Sequence, residues 1–306
     1  MTGWNPAALP DQSGRVFVVT GGNAGLGYFT VEQLVRAGAR VVLAARSEER
    51  ATRAMESVRR AVPGADLEFV RLDLASLASV REASARLSAL DRLDGLVLNA
   101  GTTSGSARRE VTADGNESTL QVNYLGHFAL AAGVLPALLR TPGSRVVGLG
   151  SLSTRIVPLD PDDLQSTRRF GFFRAYAFSK HAVHGFVLEL DRRLRSAGSP
   201  ITAVLAHPGF ALDGLSSPRP GVIVPEHPLA ARALAFGAQG KNRGAAPTVR
   251  ALLDPRVRGG QFVGPRWSVV GRPVLARPAP SSASESFGRH LWDLSEHWTG
   301  TEFAVG

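Results

Sequence analysis

From Val16 onward, short apolar runs alternate with segments whose apolar residues recur at helical spacing, and this alternation restricts the possible folds more than any other feature. Val16-Phe17-Val18-Val19 reads as a buried strand that stops at Thr20-Gly21-Gly22. Tyr28, Val31, Leu34 and Val35 then share one helical face up to Gly38. Strand Val41–Ala44 follows, with Ser47 placed to cap a helix to about Arg60. The same rhythm predicts strands at Leu67–Val70, Leu96–Leu98, Arg145–Val147 and Ile201–Leu205, and a last one at Gln261–Val263. Helices are expected after a cap near Ser76, from about Asn116 to Leu135, and from about Ala175 to Ala197. Phe287, Leu291, Leu294 and Trp298 stripe a terminal helix that Gly300 is placed to end. Strands alternating with helices imply an α/β fold: a doubly wound parallel sheet, Rossmann-type, covered on both faces. No linker divides the chain, so one domain is expected over 1–306, with a core at about 14–265 and a C-terminal extension at about 266–306. The Pro/Gly/Ser-rich stretch from Pro208 to Pro228 reads as a loop beside the active site.

Composition removes several function classes. The chain has no cysteine, which excludes disulfides, thiolate metal sites and a cysteine nucleophile. Asp160, Asp162 and Asp163 resemble a metal cluster only superficially; a helix cap at Asp162 or Asp163 is the simpler reading, and no metal is expected. His127, His181 and His207 read as structural. The net charge is +9, yet Lys180 and Lys241 are the only lysines, and arginines are scattered among acids. The exception is the segment from Gly240 to His290, where nine basic residues meet two acidic ones; it is either a solvated basic surface or a site for an acidic partner or cofactor phosphate. No aromatic-interleaved basic motif points to nucleic acid. No leader precedes Gly14 and no stretch reads as a membrane span, so cytoplasmic residence is expected.

Thr20-Gly21-Gly22-Asn23-Ala24-Gly25-Leu26-Gly27 lies where the first strand turns into the first helix. Glycines there admit a pyrophosphate close to the backbone, and the helix N-terminus offers free N–H donors and a positive dipole end. At the end of the second strand, Ala45 removes the carboxylate that would repel a 2′-phosphate. Arg46 offers that phosphate a planar charged fork, and Ser47 a hydroxyl and an N–H. NADP(H) is therefore preferred over NAD(H), unless Arg46 is simply a surface arginine. Tyr176 and Lys180 are four residues apart, one helical turn, so phenol and ammonium face the same side. The ammonium should lower the phenol's pKa and make it a proton donor and acceptor near neutral pH.

These motifs, in this order, resemble the classical short-chain dehydrogenase/reductase family from residue 16 to about residue 209. Glycines one, five and seven residues after Thr20 follow the classical spacing; the extended form, with its epimerases and dehydratases, has glycine where Ala24 stands. The resemblance implies that Asp73 and Leu74 contact the adenine. It implies that Asn99, Ala100 and Gly101 line the cofactor, and that Pro208 and Gly209 lie beside the nicotinamide. It also implies a catalytic tetrad of Asn123, Ser151, Tyr176 and Lys180, with Ser153 the competing choice for the serine. In the family the backbone of that asparagine helps hold a water leading protons to the lysine. The implied enzyme interconverts a carbonyl and an alcohol by hydride transfer, as a homodimer or homotetramer.

This sequence departs from the family pattern in three places. Asp213 stands where the family has a threonine that touches the carboxamide or pyrophosphate, which puts that contact in doubt. Gly148-Leu149-Gly150 replaces a more polar pattern before the serine. Ser151 and Tyr176 are 25 positions apart, leaving room for an insertion at the pocket's edge. That spacing, with Asn123-Tyr124-Leu125-Gly126-His127-Phe128 and His207-Pro208-Gly209, resembles the retinol dehydrogenase and WW-oxidoreductase-like branch. Protochlorophyllide reductase neighbours that branch, but the lack of cysteine argues against it. Phe170, Phe172, Phe173 and Phe210 are either an apolar pocket wall for a lipophilic substrate or core packing. A cofactor-binding regulator on the same fold is the alternative function, though such proteins normally shed the tyrosine or lysine.

Overall fold

Strand β1 (Val16–Thr20) occupies the middle of the sheet because all but its first residue are buried, as a strand covered on both faces requires. Helix α1 (Gly25–Arg36) leads to β2 (Arg40–Ala45), α2 (Glu48–Ala61) and β3 (Leu67–Arg71) on one side of β1. The chain then crosses through α3 (Leu77–Ser88) to β4 (Gly95–Leu98) on the other side. It continues outward through β5 (Arg145–Leu149), β6 (Thr202–Ala206) and β9 (Phe262–Pro265) to β10 (Pro273–Ala276). The order is β10-β9-β6-β5-β4-β1-β2-β3; every neighbouring pair is parallel except β9–β10. The computed structural model describes residues 4–103, 105–223 and 236–305. The part of the expected loop at 224–228 lies outside them.

The reversal between β1 and β4 opens a crevice at the carboxyl ends of the strands, the place where doubly wound sheets take their ligands. Ser47 and Ser76 cap α2 and α3 as their side chains predict, accepting from the N–H groups of Arg50 and Ser79. Glu48 and Glu49 in the first turn of α2, with Arg59 and Arg60 in its last, suit the helix dipole.

Several elements differ from expectation. The helix expected to end at Leu135 comprises α4 (Ser118–Leu120), a π-helical stretch Gln121–Leu125 and α5 (Gly126–Leu139), with Pro136 inside it. The whole run Ser118–Leu139 is long and apolar enough to cross a membrane by length and composition, so the expectation that no stretch approaches a span is corrected. Here most of that run is buried, with Tyr124, Phe128, Leu130 and Val134 packed into one core cluster. Helix α6 (Phe172–Ser196) starts three residues earlier than expected. A strand beyond the expected last one, β10, pairs antiparallel with β9 as an edge whose Leu275 is half exposed.

After β6 come the two-residue strands β7 (Ala211–Leu212) and β8 (Gln239–Gly240), which pair with each other, then α7 (Lys241–Gly244) and α8 (Ala246–Leu253). The terminal helix α9 (Glu285–Thr299) packs on α6. Phe287 and Leu291 of its expected stripe are buried, Leu294 and Trp298 only partly, and Trp292, outside that stripe, is buried as well. The Trp292 ring meets Phe128, Phe186 and Phe303 at 4.8–5.9 Å between centroids, so the extension shares the core of α5 and α6.

Candidate active site

The turn after β1 is built by backbone geometry that side chains resist. Gly21 and Gly25 have φ of +66° and +55°, in the left-handed region. A Cβ on Gly27 would sit inside contact distance of the Gly21 carbonyl and Asn99 Nδ2, so α1 approaches β1 as closely as it does because that residue is glycine. Asn99 ties this turn to the end of β4: its Nδ2 donates to the Thr20 carbonyl at 2.7 Å. The backbone N–H groups of Asn99 and Ala100 both donate to Thr20 Oγ1 at 2.9 Å. At the start of α1 the N-cap Ala24 makes no side-chain hydrogen bond, and no acidic residue stands in the first turn. The N–H donors of an uncapped first turn, a positive dipole end and glycines at 21, 22, 25 and 27 fit the diphosphate of a dinucleotide. Asn23 and Leu26 lie half-buried in this turn.

At the end of β2, Ala45 is buried and Arg46 projects into solvent. The Ser47 hydroxyl is engaged as the cap of α2. Past β3, Asp73 closes its own turn by accepting from the Ala75 N–H at 3.0 Å. Leu74 is buried against Gly126, and its side chain belongs to the core.

Gly101 connects the turn to the catalytic candidates. A Cβ there would lie 2.9 Å from Asn123 Oδ1 and 3.9 Å from Lys180 Nζ. The Asn123 side chain is locked from both ends: Oδ1 accepts from the Thr102 N–H at 2.7 Å, and Nδ2 donates to Ser179 Oγ at 2.9 Å. Its carbonyl, within the π-helical stretch, accepts from His127 Nδ1 at 3.1 Å. A carbonyl only accepts, so Nδ1 carries the proton and Nε2 accepts from the Thr20 hydroxyl at 2.9 Å. Burial pushes His127 down to about 3, which keeps it neutral in this bridge between the glycine turn and Asn123. His181 is held by Ser282 and Val157, and the His207 ring by the Gly209 N–H; all three histidines are engaged within the chain.

Lys180 is buried one turn beyond Tyr176, and its Nζ donates to the Leu149 carbonyl at 2.9 Å and lies 5.9 Å from the Tyr176 ring. Burial moves the Tyr176 phenol up, and its hydrogen bond with Ser151 pulls the other way. The expected lowering by the ammonium is therefore corrected: desolvation of the phenol wins in this arrangement, and the lysine's bond goes to a carbonyl. The serine that acts on the phenol is Ser151; Ser153 Oγ is buried and has no partner among the described residues.

Burial pushes Lys180 itself from its ordinary 10.5 down to about 8. The sign follows directly. A folded pKa below the unfolded one means stability that is full above 10.5 and lost as pH falls to about 8, because the ammonium is then buried at a cost. Lys180→Met should accordingly raise thermal stability, by roughly 1–3 kcal/mol below pH 8, with the gain vanishing above 10.5. Unfolding curves of both proteins across that range check it; a Met variant that is less stable at pH 7 would refute the buried-charge account.

The odd Gly148-Leu149-Gly150 pattern has a packing reason. A Cβ on Gly148 would lie 2.5 Å from Val187, and one on Gly150 would run into His184 Nε2. Helix α6 lies against the end of β5 at a distance only glycine permits, which brings Tyr176 and Lys180 to Ser151. His184 is buried, its ring nitrogens have no hydrogen-bond partner among the described residues, and burial holds it near 3. No spacing rule could have flagged this histidine.

The insertion between Ser151 and Tyr176 is anchored to α6. Buried Asp163 accepts from Arg174 at 2.9 Å and from the Thr167 N–H at 2.7 Å, which holds its carboxyl down at about 2 against desolvation. The cap of the short helix there is Asp160, not Asp162 or Asp163. None of the four phenylalanines is core: Phe170 and Phe172 are half-buried, while Phe173 and Phe210 are 52% and 48% exposed. Phe173 stacks with Tyr176 at 6.5 Å. Pro208 is held by Gln239 Nε2 at 2.7 Å. Asp213 is turned to Lys241, with Oδ2 and Nζ 2.6 Å apart.

A glycine-built turn at the switch point, with a tyrosine–lysine pair on a nearby helix, defines the class: dinucleotide-binding proteins of doubly wound fold. A short chain dehydrogenase family model matches residues 15–217. The chain is 42% identical over 211 residues to polyprenol dehydrogenase of Mus musculus, covering 67% of this chain and 62% of that protein. It is 37% identical over 200 residues to retinol dehydrogenase 13 of Homo sapiens, covering 65% of this chain and 59% of that protein. The matches thus span about three fifths of those relatives' lengths. The crystal structure of an uncharacterized protein from Mycobacterium Paratuberculosis has a TM-score of 0.80 and 34% identity, covering 99% of this chain and 100% of that one. The chain belongs to the short-chain dehydrogenase/reductase family, in its retinol dehydrogenase-like branch. The cytoplasmic expectation does not stand. These relatives are named for polyprenol and retinol, alcohols that dissolve in membranes, and Ser118–Leu139 removes the argument from a missing apolar stretch.

Proposed function

We propose that the chain is an NADP(H)-dependent oxidoreductase that interconverts a carbonyl and an alcohol on a small lipophilic substrate. The observation that carries this reading is Tyr176 one helical turn from buried Lys180, whose Nζ is bonded to the Leu149 carbonyl and lies close to Gly101 at the end of β4. Thr20, Gly21, Asn23, Gly25, Leu26 and Gly27 hold the diphosphate, and Arg46 and Ser47 take the 2′-phosphate. Asp73 and Leu74 border the adenine; Asn99, Ala100, Gly101, Pro208 and Gly209 line the remainder. When bound, the nicotinamide supplies or accepts the hydride. Tyr176 gives its proton to the carbonyl oxygen in reduction and takes it back in oxidation. Ser151 holds that oxygen, and Lys180 orients the tyrosine and restores its proton, with Asn123 positioning the relay. Half-exposed Phe173 and Phe210 supply apolar surface at the mouth, which favours a lipophilic substrate and accords with the names of the relatives. The whole chain acts as one catalytic unit in this reading, because its extension is packed onto α6.

The direct test is loss of NADPH absorbance with a panel of lipophilic aldehydes and ketones, against NADH at equal concentration. Cofactor preference rests on Arg46, which projects into solvent next to Ala45. Arg46→Ala should weaken NADPH binding about 10- to 100-fold, the worth of a charge-assisted fork, and leave NADH unchanged. A wild-type preference for NADH in the binding titration overturns the assignment of the 2′-phosphate.

A further inference from the structure

We propose that Lys241 is a ligand of the cofactor's diphosphate, held over the glycine turn by Asp213. This rests on the dinucleotide reading of that turn and adds a residue on the far side of it. The threonine that the family places four residues after Gly209 is replaced here by Asp213, a carboxylate where phosphates are expected. Such a change should repel the cofactor unless a cation accompanies it.

The fold provides that cation. Strands β7 and β8 pair in a register that sets Leu212 opposite Gly240, so the next residue on each, Asp213 and Lys241, emerge side by side. Their charged atoms meet at 2.6 Å. The Lys241 N–H donates to Ser216 Oγ at 2.8 Å, which fixes the start of α7 against the loop that carries Asp213. Helix α7 in turn rests on α1: Gly244 packs against Leu26, and the Asn242 carbonyl accepts from Gln33 Nε2 at 3.2 Å. The consequence is a specific placement. The nearest atom to the space that a Cβ of Gly25 would fill is Lys241 Nζ, at 3.3 Å. An ammonium therefore overhangs the uncapped N-terminus of α1, adjoining the N–H donors assigned to the diphosphate. The Lys241 side chain is three-quarters covered, whereas Asp213 is half exposed, so the carboxylate can swing to solvent while the lysine stays in place. Asp213 then keeps Lys241 aimed in the free protein and gives it up to the diphosphate on binding, a competition between two anions for one cation.

That competition predicts opposite signs for the two partners. Binding of NADPH and NADH is titrated by fluorescence for the wild type, Lys241→Met, Lys241→Arg and Asp213→Asn, with melting temperatures recorded for each. Lys241→Met should raise the Kd for both cofactors by the same factor, about 10- to 100-fold, because the diphosphate is common to them. Lys241→Arg should recover most of the affinity. Asp213→Asn should bind as tightly as the wild type or several-fold tighter. Inorganic pyrophosphate should compete with NADH in the wild type and lose most of that ability in Lys241→Met. A Lys241→Met Kd within twofold of wild type, or an Asp213→Asn variant weakened as much as Lys241→Met, would overturn the proposal and leave the pair as a fold contact. A wild type that binds neither cofactor would instead remove the dinucleotide reading beneath it.

Discussion

Tyr176→Phe is expected to lower turnover by about 10²- to 10⁴-fold, the usual worth of a positioned general acid, while NADPH binds within a few-fold of wild type. The reason is local. The phenol is half-buried beside Ser151 and stacks with Phe173, and its loss removes one oxygen without opening a cavity. No other described hydroxyl of matching acidity takes its place: Tyr28 bonds Ser57 and Tyr124 bonds Ser295, both buried away from Ser151. The measurement is single-turnover reduction under saturating NADPH, alongside a binding titration. Activity retained in the Phe variant would show that the proton comes from elsewhere.

The second large effect is steric. Gly27→Ala puts a methyl group into the Gly21 carbonyl and the Asn99 side chain, which is itself pinned to Thr20. Neither neighbour is a free rotor. We expect a loss of about 1–3 kcal/mol in the stability of the free protein, the cost of overpacking a closed site. We also expect binding of both cofactors to fall by at least about 100-fold, since the donors at the α1 N-terminus move with the turn. Gly22→Ala is the comparison: its Cβ meets side-chain carbons of buried Leu43 and Val31 at 2.9 Å and no backbone of the turn, so its cost falls on the core rather than on the cradle. Gly22→Ala should therefore bind NADPH nearly normally. Equal loss in the two variants, read as Kd beside the melting temperature, would mean that the turn is not the cradle assigned to it.

The legible part of this chain was what local chemistry encodes. Apolar runs gave away the strands, Ser47 and Ser76 announced their helices, and Gly21, Gly25 and Gly27 marked a turn whose geometry demands them. Asn123, Ser151, Tyr176 and Lys180 could be singled out because their order and spacing resemble a family. What stayed hidden depends on partners distant in the chain. Strand β10 is a four-residue edge that begins with proline, and only its antiparallel pairing with β9 makes it a strand. The π-helical stretch around Asn123 has no compositional mark. Gly150 looked like a departure until His184, 34 positions later, filled the space of its missing side chain. The direction of the Tyr176 shift went the other way from expectation because spacing predicts proximity but not burial. Lys241 could have been noticed from two oddities taken together, a rare lysine and an unexpected Asp213, yet only the β7–β8 register joins them.

The contact between α9 and α6 has a consequence for how variants of this protein should be read. A Cβ on Gly185 would lie 2.6 Å from the Phe287 ring, so the terminal helix touches bare backbone midway along the helix whose N-terminal part carries Tyr176 and Lys180. Residues 285–299 thus act as a splint. Damage to Leu291 or Trp292, nowhere near the substrate, would register first as a misaimed phenol, and sequence changes at the tail would be mistaken for defects in chemistry.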